Sequence, residues 1–275
     1  MNRPGVSVII PTRGDRKESL AKLQRQLQEQ TIPPLEVIVV SGEDSPGKAR
    51  NRGAEQAYGE WLLFLDDDAS LDGHGTLEAL CDVFRTEKDV GLVGAAIGVP
   101  PDAGLFARKY ARQFPRSAVL PPDRCEDSDL ATTLCCMISA DCFRRIGGFR
   151  EDLAAGEDPE WRDRIRREGK RVVLAPGVRV FHPPPENLTA ALKRSYWYGI
   201  GDAQIRKKIP PESWRRSCRP FGWFRMLFKA VFLPLGLIFD LPEIPSGKIK
   251  LRWGGIYLLC GYAHVLGYLR ERIRR

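Results

Sequence analysis

Glu60-Trp61-Leu62-Leu63-Phe64-Leu65-Asp66-Asp67-Asp68-Ala69-Ser70 joins an apolar run directly to three consecutive carboxylates. The run is rich in residues that suit a buried strand. Carboxylates are rarely buried without a partner. Three of them at the mouth of a hydrophobic strand repel one another unless a cation sits among them. In an extended backbone successive side chains alternate faces, which sends Asp66 and Asp68 one way and Asp67 the other. Two oxygen ligands on one face suit Mg2+ or Mn2+, which take one or two carboxylates and fill the rest with water and substrate phosphate. Alone, the segment reads equally well as an acidic turn in water, so its setting decides.

Upstream, Val6–Thr12 reads as a buried strand that stops at Pro11. Leu20, Leu23 and Leu27 give residues 17–30 helical spacing, and 35–40 form a second strand closing on Ser41-Gly42. Residues 47–58 suit a helix, which Gly59 ends. With the strand at 61–65 the order is β-α-β-α-β, which predicts a mostly parallel, Rossmann-like α/β sheet with helices on both faces. In such sheets ligands sit beyond the carboxyl ends of the strands. Thr12-Arg13, residues 41–43 and the three aspartates all fall at that edge. Downstream, 76–85 reads as a helix, Val90–Gly98 as a strand and 99–131 as irregular. A strand at 134–138, a helix at Ala140–Ile146, a helix at 157–169 and short strands at 171–174 and 178–181 follow.

The chain has 275 residues, long enough for one large domain or a domain with an appendage. Its net charge of +8 is uneven: residues 206–275 hold 15 Lys/Arg against 4 Asp/Glu, and residues 1–205 hold 28 against 31. Basicity therefore belongs to a tail that is also apolar, which points to an anionic membrane surface. No nucleic-acid-binding motif accompanies it, so nucleic acid is not expected as a partner. Seven cysteines without a C-x-x-C pair argue against a zinc site or disulfide framework and suggest reduced thiols in the cytosol. Residues 1–5 lead straight into a strand without a signal-peptide pattern.

Within the tail, 221–241 is apolar but interrupted by Arg225, Lys229 and Pro234, and 253–269 lacks Asp, Glu, Lys and Arg. A spanning helix needs ~20 apolar residues, and basic residues flank both segments, against a single clean span. We expect a hairpin or helix pair embedded in the cytoplasmic leaflet, or else a helical hairpin buried against the rest of the protein or a partner. The expected domains are 1–210 and a C-terminal apolar helical region, 211–275.

The strings "VSVIIPTRG", "EVIVVSGEDS", "GKARNRGAEQAYGEWLLFLDDDASL", "CFRRIGGFRED", "GEDPEWRDRIRREG" and "LAPGVRVFH", in this order, resemble a family 2 glycosyltransferase of the GT-A fold over roughly residues 5–205. The resemblance implies a nucleotide-sugar donor, a divalent cation (Mn2+ or Mg2+) and inverting transfer. It implies Asp68 as metal ligand, with Asp66 on the metal or the nucleotide ribose and Asp67 supporting them or facing water. Pro11, Thr12 and Arg13 would lie along the nucleoside. Family members often carry an aspartate pair after the second strand; here Ser41-Gly42-Glu43-Asp44 stands instead, leaving Glu43 to contact the base and the base itself open. Arg50 is implied as a phosphate contact, though an arginine on a helix surface is the alternative. His182 would complete the metal site. Asp158 is the implied base that takes the acceptor's proton, with Glu157, Trp161 and Arg194 as acceptor or sugar contacts. Acidic residues at a helix N-terminus also stabilise it by ~0.3–1 kcal/mol without any chemistry.

Trp197 and Tyr198 could stack on sugars or pack against the tail, and the absence of Q-x-x-R-W argues for addition of a single sugar. The implied enzyme works at the cytoplasmic face of the cell membrane on a lipid-linked or surface-glycan acceptor. Two other classes stay open: a nucleotidyltransferase, and a non-catalytic membrane-bound sugar-binding or scaffold protein.

Overall fold

The computed structural model describes residues 5–210, 244–246, 249–251 and 255–274. The chain divides into two compact units: Met1–Gly98 with Leu120–Asp152 and Glu157–His182, and Val99–Val119 with Leu153–Gly156 and Pro183–Arg275.

The first unit opens with β1 (Val6–Thr12), α1 (Lys17–Gln28), β2 (Glu36–Ser41), α2 (Pro46–Gln56) and β3 (Trp61–Leu65), in the order expected. β1 lies between β2 and β3 and parallel to both, with Val8 opposite Val37 and Leu63. Helices cover both faces, so the strand alternates between two cores rather than between core and water. Val8, Ile10, Leu63 and Leu65 pack with Leu23 and Leu27 of α1 and with Leu77 and Leu80 of α3 (Thr76–Thr86). Phe64, one residue out of phase, meets Phe143, Phe149 and Trp161 instead.

α2 begins at Ser45, whose hydroxyl accepts the Lys48 N–H at 3.2 Å, with Pro46 in the first turn. That is a standard helix start. The helix then presses on β1: a Cβ at Gly53 would overlap the Ile9 Cγ2 methyl and come within 3.3 Å of Val40 Cγ2. Gly53→Leu is therefore expected to cost ~1–3 kcal/mol and to lower Tm by several degrees in calorimetry. An unchanged Tm would mean that α2 stands off the sheet.

The remaining elements are β4 (Ser70–Leu71), β5 (Val90–Gly98), α4 (Leu105–Gln113), β6 (Glu126–Asp127), β7 (Cys135–Ser139), α5 (Ala140–Ile146), α6 (Glu157–Arg167) and β8 (Arg171–Phe181). The sheet order is β2-β1-β3-β7-β5-β8-β4, with β6 on β8. This corrects the mostly parallel expectation, because the sheet is mixed. β7 runs antiparallel to both β3 (Phe64 opposite Cys136) and β5 (Val93 opposite Met137), and β4 and β6 run antiparallel to β8. The reason lies in the connection. β5 is parallel to β3, and although α4 follows it, the chain comes back to the sheet at the edge it left. β7 therefore enters where β3 leaves, with Cys135 opposite Leu65. The segment 99–131, read as irregular, contains α4, a 3-10 turn at Pro115–Ser117 and β6. β8 is one strand of 11 residues rather than two, with a register shift against β5 between Gly94 and Ala96.

The second unit holds α4, α7 (Leu188–Lys208), the antiparallel pair β9 (Ile244–Ser246) and β10 (Ile249–Leu251), and α8 (Gly255–Ile273). Tyr110, Ala191, Ile256 and Cys260 form its core with Phe106, Phe114 and Leu192. α7 and α8 approach until a methyl at Gly199 would overlap the His264 carbonyl and one at Gly267 the Tyr196 carbonyl. The apolar segment 221–241 lies outside the described residues, and 253–269 falls largely on α8. Among the described residues no helix is long and apolar enough to cross a membrane. The described cysteines are free thiols, and burial pushes the Cys135 thiol up to about 12.

Candidate functional site

The chain turns as soon as it leaves β3. The Ala69 N–H donates to the Asp66 carbonyl at 3.0 Å, so the three aspartates occupy a turn rather than an extended strand. The grouping expected from alternation results all the same. Asp66, Asp68 and His182 each present one ligand atom, all within 4.8 Å of one another. His182 is fixed just past β8 by donating its N–H to the Gly98 carbonyl at 3.0 Å, and its Nε2 stands 3.5 Å from Asp68 Oδ1.

Asp67 faces the other way. It is buried, and it accepts from the Thr12 hydroxyl at 2.6 Å and from Arg16 Nη1 at 2.9 Å. The same Arg16 nitrogen lies 2.8 Å from Asp68 Oδ2. Asp68 Oδ1 is buried with no hydrogen-bond partner among the described residues. Burial pushes the Asp68 carboxyl up, Asp66 and Asp67 add to this, and His182 and Arg16 only partly oppose it.

A second carboxylate pair is tied to the first through one arginine. Arg50 of α2 is buried; its Nη2 donates to Asp66 Oδ1 and its Nη1 to Glu157 Oε1, both at 2.9 Å. Burial works against the guanidinium charge, but Asp66 and Glu157 outweigh it and hold Arg50 above its ordinary value. Glu157 opens α6, and burial pushes its carboxyl up in spite of Arg50. At Arg50, expected as a phosphate contact, both terminal nitrogens are held by carboxylates, one part-buried and one buried. The next residue, Asn51, clamps Phe149 by accepting its N–H at 2.7 Å and donating to its carbonyl at 2.9 Å. Helix α2 thus fixes both the aspartate turn and the segment leading towards α6.

Asp158 is half-buried on the first turn of α6. Its Oδ1 accepts from Arg162 Nη1 at 2.6 Å, while among the described residues Oδ2 has only a long contact, 3.4 Å, from the Thr133 N–H. Arg162 is itself buried and also donates to the Ala131 carbonyl at 3.1 Å. Trp161 is 0% exposed and enclosed by Phe64, Phe143 and Phe149. Expected as an acceptor or sugar contact, the ring lies wholly inside this aromatic cluster.

Of the other expected residues, Pro11 and Thr12 end β1 half-buried and Arg13 is exposed just beyond. Glu43 pairs with Arg52 and Lys48, whose hydrogen bonds hold its carboxyl below the usual range. Arg194 is half-buried on α7, in the second unit. Sequence reading missed Arg16 and Arg162, and named Asn51 only as part of a segment that often faces the nucleotide. Only Arg162 left a signal, standing four residues after Asp158 on a helix where such pairs meet.

The geometry agrees with what comparison finds. Glycosyltransferase AglE of Haloferax volcanii is 25% identical over 232 residues, covering 74% of this chain and 74% of its own length. Pre-mycofactocin glycosyltransferase of Mycobacterium tuberculosis is 27% identical over 185 residues, 65% of this chain but 38% of its own. Among solved structures, the mannosyltransferase PcManGT from Pyrobaculum calidifontis, in complex with GDP-Man and Mn2+, matches with a TM-score of 0.59 and 15% identity. That match covers 99% of this chain and 88% of the other, and at such identity it speaks for the fold, of GT-A type. The model described as glycosyltransferase like family 2 matches residues 2–198, and with most of the chain inside that match, the protein belongs to this family.

Proposed function

We propose that this glycosyltransferase is metal-dependent and inverting, and that it moves a single sugar from a nucleoside-diphosphate sugar to a lipid-linked or surface-glycan hydroxyl. The observation that carries the reading is the link through Arg50, which joins Asp66 in the first carboxylate set to Glu157 in the second. The first set fits a divalent cation. Its donors are two carboxylates and an imidazole at ligating separations, and Asp68 Oδ1 is a buried acceptor without a hydrogen bond, a costly state unless something else satisfies it. Asp66, Asp68 and His182 would hold the ion, which when bound supplies Lewis-acid neutralisation of the departing diphosphate. An imidazole among the donors favours Mn2+ over Mg2+.

The protein's own groups do the rest. Asp158 accepts the acceptor hydroxyl's proton as the new C1–O bond forms and the bond to the diphosphate breaks from the opposite side. Arg162 holds Oδ1, so the base aims through Oδ2. Arg50 and Glu157 keep that base at a set distance from the aspartate turn, which is the positioning such a transfer needs.

The membrane part of the reading rests on exposed residues of α8. Leu266, Leu269 and Ile273 of α8 are exposed beside the exposed Arg270, Arg272 and Arg274. Apolar and cationic residues together suit an anionic lipid surface, which supports a site of action at the cytoplasmic membrane face.

The test is a thermal-shift screen of UDP, GDP and TDP with and without Mn2+. One of them should raise Tm by several degrees only with metal, and Asp68→Ala should abolish the shift. Released nucleoside diphosphate, rather than pyrophosphate, separates transfer of a sugar from transfer of a nucleotide. No shift with any base, with or without metal, would overturn the reading.

A further inference from the structure

Arg16 stands between β1 and α1 and has no part in the chemistry above. One of its nitrogens, Nη1, lies 2.9 Å from Asp67 Oδ1 and 2.8 Å from Asp68 Oδ2. Its side chain is 47% exposed, whereas those of Asp67 and Asp68 are 6% and 7% exposed. Neither Nε nor Nη2 has a hydrogen-bond partner among the described residues. The guanidinium is thus held at one corner by carboxylates and retains donors for another ligand. A guanidinium matches phosphate oxygens as a planar fork. It also neutralises a carboxylate that would otherwise be free to take a cation.

Building on the proposed donor site, we propose that Arg16 is its diphosphate-binding side chain and that, until a diphosphate arrives, its guanidinium weakens the cation's hold on Asp68. Two consequences of opposite sign follow. A diphosphate alone loses its fork when Arg16 is replaced. A cation alone gains, because the positive charge beside Asp68 has gone. In the native chain the two ligands reinforce each other: a diphosphate engages the guanidinium, and Asp68, whose Oδ1 already faces the metal site, is relieved of the positive charge beside its Oδ2. A residue that merely shaped the loop would weaken both ligands together.

Isothermal titration of Arg16→Gln with two separate probes decides the matter: inorganic pyrophosphate in the presence of EDTA, and Mn2+ alone. Pyrophosphate affinity should fall about tenfold or more, and Mn2+ affinity should rise about fivefold. Arg16→Lys keeps the charge without the fork, so its Mn2+ affinity should stay near that of the native protein while pyrophosphate binding falls part of the way. Both affinities falling, or neither moving, in a variant with unchanged Tm overturns the assignment. Native protein that takes up neither Mn2+ nor any nucleoside diphosphate overturns the donor site itself. Arg16 replacements without effect in a native protein that binds both ligands overturn only the role of Arg16.

Discussion

Replacing Asp158 by asparagine should lower turnover by ~10²–10⁴-fold, the range that a positioned general base contributes. Donor affinity should stay within about twofold of the native value. The substitution is close to isosteric, and the asparagine carbonyl can still accept from Arg162 Nη1, which the carboxylate holds at 2.6 Å. What disappears is the capacity to take a proton at Oδ2, the oxygen with only a 3.4 Å contact from Thr133. Glu157→Gln is the informative companion. Glu157 is buried against Arg50 and is assigned no proton, so its loss should reduce turnover less and stability more. Steady-state kinetics beside donor titrations would read both variants. An Asp158→Asn enzyme that kept more than about a tenth of native turnover would remove Asp158 from the role of base.

The largest effect on stability is expected at Arg50. Arg50→Met leaves Glu157 buried without its partner and takes a hydrogen bond from Asp66. Breaking one side of a buried ion pair costs ~3–5 kcal/mol, a fall in Tm of roughly 10 °C for a chain of this size. The pH dependence has a definite sign. Burial already raises the Glu157 carboxyl above its ordinary value, and Arg50 pulls against that. Without Arg50 the folded-state value rises further. A carboxyl whose folded value is raised favours folding below its unfolded value, and that contribution is lost as pH rises through the folded one. Arg50→Met should therefore be less destabilised near about pH 5 than near about pH 8. Adding Glu157→Gln should restore part of the loss. Denaturant titrations at the two pH values test this, and equal losses at both would show that Glu157 is not the group left stranded.

The contrast between these residues shows where sequence sufficed. The β1-α1-β2-α2-β3 order was legible because uninterrupted apolar runs alternated with helical spacing, and the carboxylates at the end of β3 pointed to the candidate site. Strand direction was not legible. Cys135-Cys136-Met137-Ile138 is buried on both faces, so its pattern is the same whichever way the strand runs. Only the path of residues 99–134 fixes its direction. Trp161, an acceptor or sugar contact by resemblance alone, has a spacing of four from Ile165 that marks one buried helical face. Arg16 left no local trace, since its partners lie more than fifty residues away.

Helix α2 seats Gly53 against Ile9 and carries Arg50 and Asn51 side by side. A helix advances 100° per residue, so one residue added between Ser45 and Gly53 would swing both grips off their targets at once. Length variation on this side of the protein is therefore confined to the few positions between the end of β2 and the Ser45 cap. Inside the helix the reading frame of contacts admits substitution but neither insertion nor deletion.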